Sequence, residues 1–201
     1  MIDTIKLEIQ TRQYSTENLA FLQESNDVVT GEIIQQRGKL RNLTVIIKPA
    51  SIIGHKITVE GSIRKYFLSQ CCLDDLTFAD FLNAIAKLQS DLGIPAENMI
   101  KAKLLRLDIG LTINTAHPVS DYISAILEHS MIRTMAKFGQ HGVQFTGANK
   151  KIVFYSKYKE LKKNRCPRQQ ITYCNEIVRN ENWLRFEIQY KKISGLLGQL
   201  D

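Results

Sequence analysis

Two stretches of strict alternation constrain this chain more than anything else in it: LLRLDIGLTI at 104–113 and WLRFEIQYKK at 183–192. Successive side chains of a strand point to opposite faces. Leu105, Leu107, Ile109 and Leu111 therefore share one face of the first, and Arg106, Asp108, Gly110 and Thr112 share the other. In the second, Leu184, Phe186, Ile188 and Tyr190 oppose Trp183, Arg185, Glu187 and Gln189. Both strands repeat one local pattern, apolar–Arg–apolar–carboxylate. If they are neighbours, Asp108 and Glu187 converge, and their oxygens suit a hard divalent cation, Mg²⁺ or Mn²⁺. The competing reading is two Arg–carboxylate pairs on a solvated sheet face, worth about 0.2–1 kcal/mol each.

The remaining segments predict strands interrupted by helices. Residues 2–10 read as a strand and 11–28 as a short helix or excursion. Two β-branched runs follow at 28–37 and 43–51, separated by GKLRN, and a third at 52–63. A helix opens at the Thr77 cap, with Phe78, Phe81, Leu82, Ile85, Leu88 and Leu92 as its apolar stripe and Gly93 and Pro95 ending it. A second helix is expected over 120–132, a strand over 150–157, and a helix after Pro167. The order predicts an α+β fold: one domain over 1–201, with a central, mainly antiparallel sheet of about five strands and helices packed on one face. No Walker loop or dinucleotide fingerprint occurs, so no small-molecule cofactor is expected.

Charge is unevenly placed. The chain carries 27 Lys and Arg against 20 Asp and Glu, and residues 150–192 hold 12 of the basic residues but only 4 of the acidic ones. One basic quarter on a near-neutral body points to a polyanion-binding face, with a solvated lysine-rich surface as the alternative. No apolar run approaches the roughly 20 residues of a membrane span, so no membrane partner is expected. The spacings of Cys71, Cys72, Cys166 and Cys174 make no zinc pair, and four cysteines are too few for a secreted disulfide scaffold. A reduced protein of the cytoplasm is the expectation.

The order of LLRLDIGLTI, KIVFYSKYKEL, a segment with one tyrosine, and WLRFEIQYKK resembles the filamentous-phage replication initiators, the gene II type rolling-circle endonucleases shared by phages and plasmids. MIDTIKLEI, KPASIIGHKI and VEGSIRKYF fit upstream. The motifs are short, and the resemblance lies in their order along almost the whole chain. More distantly, the chain resembles plasmid initiators with a strand–Asp, Tyr-x-Lys and Arg-x-Glu arrangement.

The resemblance implies an HUH-endonuclease-like sheet and nicking of one DNA strand at a replication origin in the host cytoplasm. A tyrosine hydroxyl attacks the phosphate, giving a 5′-phosphotyrosine and a 3′-OH that primes a host polymerase, with a host helicase as a further partner. A divalent metal, Mg or Mn, polarises the phosphate, and the covalent intermediate allows later rejoining. The phage initiators continue well beyond the Arg-x-Glu strand, so the resemblance implies a catalytic domain or a piece of a longer initiator.

In the resembled families the nucleophile lies on a helical segment between the Tyr-x-Lys and Arg-x-Glu strands. Here that interval contains only Tyr173. Lys157 is the expected point charge on the pentacoordinate phosphate. The larger superfamily holds metal through a His-hydrophobe-His triplet, which is missing, so His55, in a Gly-His shared with the phage initiators, is the candidate third ligand beside Asp108 and Glu187. Lys150, Lys151, Lys159, Lys162, Lys163, Arg165 and Arg168 are the candidate DNA contacts, with Tyr155 stacking on a base. A noncatalytic nucleic-acid-binding module using the same basic face remains the alternative.

Overall fold

Alternation in the sequence becomes a sheet whose two halves follow the two halves of the chain. The computed structural model describes residues 1–50, 54–126 and 135–190. Five strands come first: β1 (Ile2–Thr11), β2 (Ala20–Asn26), β3 (Ile33–Leu40), β4 (Leu43–Ala50) and β5 (Gly54–Ser62). The helices α1 (Ile63–Phe67), α2 (Phe78–Asp91) and α3 (Ala96–Ile100) follow. The second half runs β6 (Lys103–Asn114), α4 (Val119–Ala125), β7 (Met135–Lys137), β8 (Gly142–Thr146), β9 (Lys150–Ser156), α5 (Lys157–Lys163), β10 (Thr172–Tyr173), β11 (Glu176–Ile177) and β12 (Trp183–Tyr190).

Ten strands form one antiparallel sheet in the order β2-β3-β4-β5-β1-β6-β12-β9-β8-β7. The α+β fold and antiparallel sheet agree with the sequence, but the sheet has twice the expected number of strands. The strand-like segments of the sequence account for seven of the ten, and β2 with the short β7 and β8 add the other three. All seven residues of β2 are exposed at the sheet edge, so no alternation marked it within 11–28. Residues 127–132 of the expected 120–132 helix lie outside the described residues, as do 51–53 and the last two residues of the 183–192 strand.

The largest core lies where β1, β4 and β5 align apolar residues. Ile9 pairs with Ile57 and Leu7 with Val59, and across the next ladder Val45 pairs with Val59 and Ile47 with Ile57. Ala84, Leu88 and Leu92 of α2 and its C-cap pack into this cluster. Thr77 caps α2 in a reciprocal capping box with Asp80. The buried stripe is narrower than expected, because Phe78 and Leu82 turn to solvent at 71% and 52% exposure.

Helices lie on both faces, not one. Leu184, Phe186 and Ile188 pack with Val119 and Ile123 of α4. Trp183, one residue out of phase with them, packs with Tyr158 and Leu161 of α5. The cysteines also depart from expectation: Cys71 and Cys166 form a disulfide, while Cys72 and Cys174 are free. Among the described residues no helix is long and apolar enough to cross a membrane.

Candidate active site

The two patterned strands are neighbours. In the β6–β12 ladder Arg185 pairs with Thr112, Glu187 with Gly110 and Gln189 with Asp108. Paired residues share a face, so Asp108 and Glu187 are diagonal neighbours on one side of the sheet. On the other flank of β12, Arg185 pairs with Tyr155 of β9. The Arg-Leu-Asp, Tyr-x-Lys and Arg-x-Glu motifs therefore meet on adjacent strands.

This polar face is the more buried side of β12. Arg185 is 1% exposed and Glu187 8%, whereas Leu184, Phe186 and Ile188 are only partly covered. A buried guanidinium is tolerable only when paired and hydrogen-bonded, and Arg185 is fully engaged. Its Nη2 donates to Asp3 at 2.7 Å, Nε to Glu187 at 3.1 Å, and Nη1 to Thr112 Oγ1 at 2.8 Å and to Asp75. Asp75 also accepts from the Thr112 backbone N–H at 2.7 Å. The guanidinium lies over Gly110, where a Cβ would come under 3.0 Å from Nη2, Cζ and Nε.

Neighbouring groups extend the network. Asp3 Oδ1 accepts from Ser62 at 2.6 Å and lies 3.7 Å from Nε of the buried Arg64, whose Nη1 donates to the Cys72 and Asp74 carbonyls. Burial opposes ionisation of Asp3, but the cations Arg185, Lys157 and Arg64 hold its carboxyl far below the usual range. Tyr155 donates to Glu187 Oε1 at 2.6 Å, and burial together with the Glu187 charge pushes the phenol well above its ordinary value.

Lys157 departs from its expected role. It opens α5 rather than continuing the strand, is 1% exposed, and pairs with Glu160 at 2.5 Å. There it balances the Glu160 charge beneath the face. Burial pushes its ammonium down, opposed by Glu160. Tyr155 likewise spends its hydroxyl inside the protein, on Glu187. Of the expected DNA contacts, Lys159, Lys162, Lys163, Arg165 and Arg168 are exposed, and Lys150 and Lys151 are half-buried.

Tyr173 is not on a helix. After Pro167 comes one 3-10 turn, Arg168–Gln170, and then the β10–β11 hairpin. Its two turn residues, Cys174 and Asn175, have φ of 49° and 64°, the double left-handed turn favoured by tight hairpins. The hairpin is tied to the loop that carries the network's carboxylates: Leu73 N–H donates to the Thr172 carbonyl at 2.7 Å, Thr172 N–H to Cys71 at 3.2 Å, and Cys174 N–H to Asp74 at 2.9 Å. The Cys71–Cys166 disulfide crosses beside these bonds. Tyr173 is 41% exposed, its ring 4.7 Å from that of Trp183. Its neighbour Cys174, then partial burial and the charges of Asp74 and Asp75, push its hydroxyl up. The phenol is protonated at neutral pH.

His55 stands elsewhere. Asp108 pairs with Thr4, and Thr4 with Ser62, whereas His55 lies seven residues further along β5 opposite Thr11, about 23 Å of extended strand away. It packs edge-on to Tyr14, so the structure does not bring it to Asp108 and Glu187. Among the described residues no group of three or more His, Cys, Asp or Glu side chains is arranged to hold a metal. Asp108 and Glu187 alone still suit a hard ion, since Mg²⁺ keeps most of its waters and takes one or two carboxylates. Arg106 grips both Asp108 oxygens at 3.0 and 2.7 Å, yet burial and the nearby Glu187 charge still leave the Asp108 carboxyl raised. Each carboxylate has its own guanidinium, Arg106 on Asp108 and Arg185 on Glu187.

Asp3, Arg64 and Asp75 were not singled out from the sequence. Asp3 had a signal, for it lies in phase with the buried Ile5, Leu7 and Ile9, where a carboxylate needs a partner. Arg64 and Asp75 lie in a short helix and a loop with no such periodicity. No family model matches the chain, and no curated protein matches it.

Proposed function

We propose that the chain is a strand-nicking replication initiator acting on single-stranded or melted origin DNA, with Tyr173 as nucleophile. The observation that carries this reading is the meeting of three motifs on the adjacent strands β6, β12 and β9, with the Tyr173 hairpin fastened to the loop that supplies Asp75. The resemblance to gene II type initiators gives that convergence its chemical meaning. In the reaction, the Tyr173 oxygen bonds to phosphorus, the bond from phosphorus to the 3′ oxygen breaks, and the phenolic proton is lost to solvent or a base. The leaving oxygen takes up a proton to become the 3′-OH. Asp108 and Glu187 would hold the divalent ion, which when bound offsets negative charge on the phosphate oxygens. Arg185 fixes Glu187 in place, and Trp183 steadies the Tyr173 ring.

The test is incubation with a single-stranded origin oligonucleotide and Mn²⁺, reading SDS-resistant protein–DNA adduct. Tyr173→Phe removes one hydroxyl and preserves the packed ring, so adduct should vanish while DNA binding stays within about twofold. Asp108→Asn should lower the rate and recover partly at higher Mn²⁺, which Tyr173→Phe should not. The exposed basic run from Lys159 to Arg168 also fits a second reading, a nucleic-acid-binding module without catalysis. Tight binding with no adduct from any origin strand would select it.

A further inference from the structure

At the end of the sheet next to Trp183, a cleft of about 210 Å³ opens between the start of α4, the β7–β8 turn and the first turn of α5. Ser120, His141, Ser156, Lys159, Glu181 and Asn182 supply its polar lining. It is smaller than the roughly 300–1,000 Å³ typical of small-molecule sites, which suits a single phosphate group with part of a sugar.

Its charges are arranged unusually. Lys159 Nζ lies 2.8 Å from Nε2 and 3.2 Å from Nδ1 of His141. Among the described residues it has no carboxylate within ion-pair distance, and the nearby acids are taken: Glu160 by Lys157 and Lys65, Glu181 by Lys162. An ammonium thus faces a ring that can only accept from it while neutral. The arrangement is built: His141 sits in a tight turn whose carbonyl accepts from Ser156 N–H at 2.9 Å, and the Asn182 carbonyl accepts from Thr115 N–H at 2.8 Å. An anion entering the cleft would accept from Lys159 and from a ring N–H of His141 together, while the Ser120 hydroxyl donates to Asp121 Oδ1 at 3.3 Å.

We propose that this cleft binds one backbone phosphodiester of the DNA strand that Tyr173 attacks, holding the strand at a fixed distance from the nucleophile. The inference rests on the nicking reading for the identity of the strand. The position supports it, because Asn182 directly precedes Trp183, the residue on which Tyr173 packs.

The experiment measures binding alone, on the Tyr173→Phe chain without divalent metal, so it does not depend on catalysis. A set of oligonucleotides carries one neutral methylphosphonate at each successive linkage. One linkage should weaken binding about tenfold, the loss of a charge-assisted contact, and Lys159→Gln should weaken binding of the unmodified strand by a similar factor. Combined, the two changes should not add, and Lys159→Gln should lower the salt slope by about 0.7. His141→Gln should couple to the same linkage, whereas Lys163→Gln should not. Additive losses at every linkage would overturn the proposal. So would a cleft that takes inorganic phosphate, read by Lys159-dependent shifts of the His141 ring resonances, while no linkage couples to Lys159. If the wild-type chain forms no adduct yet one linkage couples, the phosphate site stands and the nicking reading falls.

Discussion

At the scale of single residues, the site depends on one guanidinium and the glycine beneath it. Arg185→Met leaves Asp3, Asp75 and Glu187 buried without their shared cation, and breaking such a set costs about 3–5 kcal/mol. Urea denaturation should record a loss of that size. Gly110→Ala should approach it without altering any charge, since its Cβ would occupy the space of the guanidinium. A Gly110→Ala chain as stable as the parent would mean that Arg185 can pair as well from another position. The same residues set an acid limit. Asp3 and Glu160 titrate below their ordinary values in the fold, so each contributes stability that is present above the unfolded carboxylate pKa, about 4, and is lost as pH falls through the folded value. Asp108, raised by burial, acts in the opposite direction. Between pH 7 and pH 3 the unfolding midpoint should fall, and Asp3→Asn should start lower but decline less steeply.

At the scale of elements, legibility followed burial pattern. The strands β6 and β12 could be paired from sequence because alternation survives in both, and α2 because its cap, stripe and terminating glycine agree. Burial then inverted one reading: the charged face of β12 is the covered one, because α5 and the 71–75 loop close over it, and neither shows in a strand's periodicity. The β10–β11 hairpin was missed for a local reason. Its turn places Cys174 and Asn175, not glycine, in the left-handed region, so PRQQITYCNEIVR carries no hairpin signal. That hairpin's position should depend on the Cys71–Cys166 disulfide, which closes a loop with a sequence separation of 95. In the oxidised chain, Cys166→Ser should reduce stability by about 2–4 kcal/mol. Limited trypsin digestion should then cut faster at Arg168 and Arg179, which flank the hairpin. Unchanged cleavage would show that the backbone bonds to Cys71 and Leu73 hold Tyr173 unaided.

At the scale of the whole molecule, charge is sorted by depth as well as by sequence. Lys157 and Arg185 belong to the basic quarter but are buried, so its exposed charge is mainly the set from Lys159 to Arg168. Affinity for single-stranded DNA should fall steeply from about 50 to 200 mM salt; a flat response would exclude that surface as the contact. The sheet order has a different consequence. Within the ten-stranded sheet, the strands before residue 100 lie on one side of the β1–β6 seam and those after it on the other. The charge network draws Asp3, Arg64 and Asp75 from the first side and Thr112, Tyr155, Lys157, Arg185 and Glu187 from the second, and the Asp3–Arg185 bond spans 182 residues of chain. Contacts this distant in sequence form late, after local ladders have reduced the loop entropy they must overcome. The core of the first side also takes Leu107 of β6, and Arg185 is made later still, so the site does not exist until β12 joins the sheet. A ribosome-bound or truncated chain would therefore carry a folded half-sheet but no assembled cluster, and whatever chemistry the cluster performs is withheld until the last strand is in place.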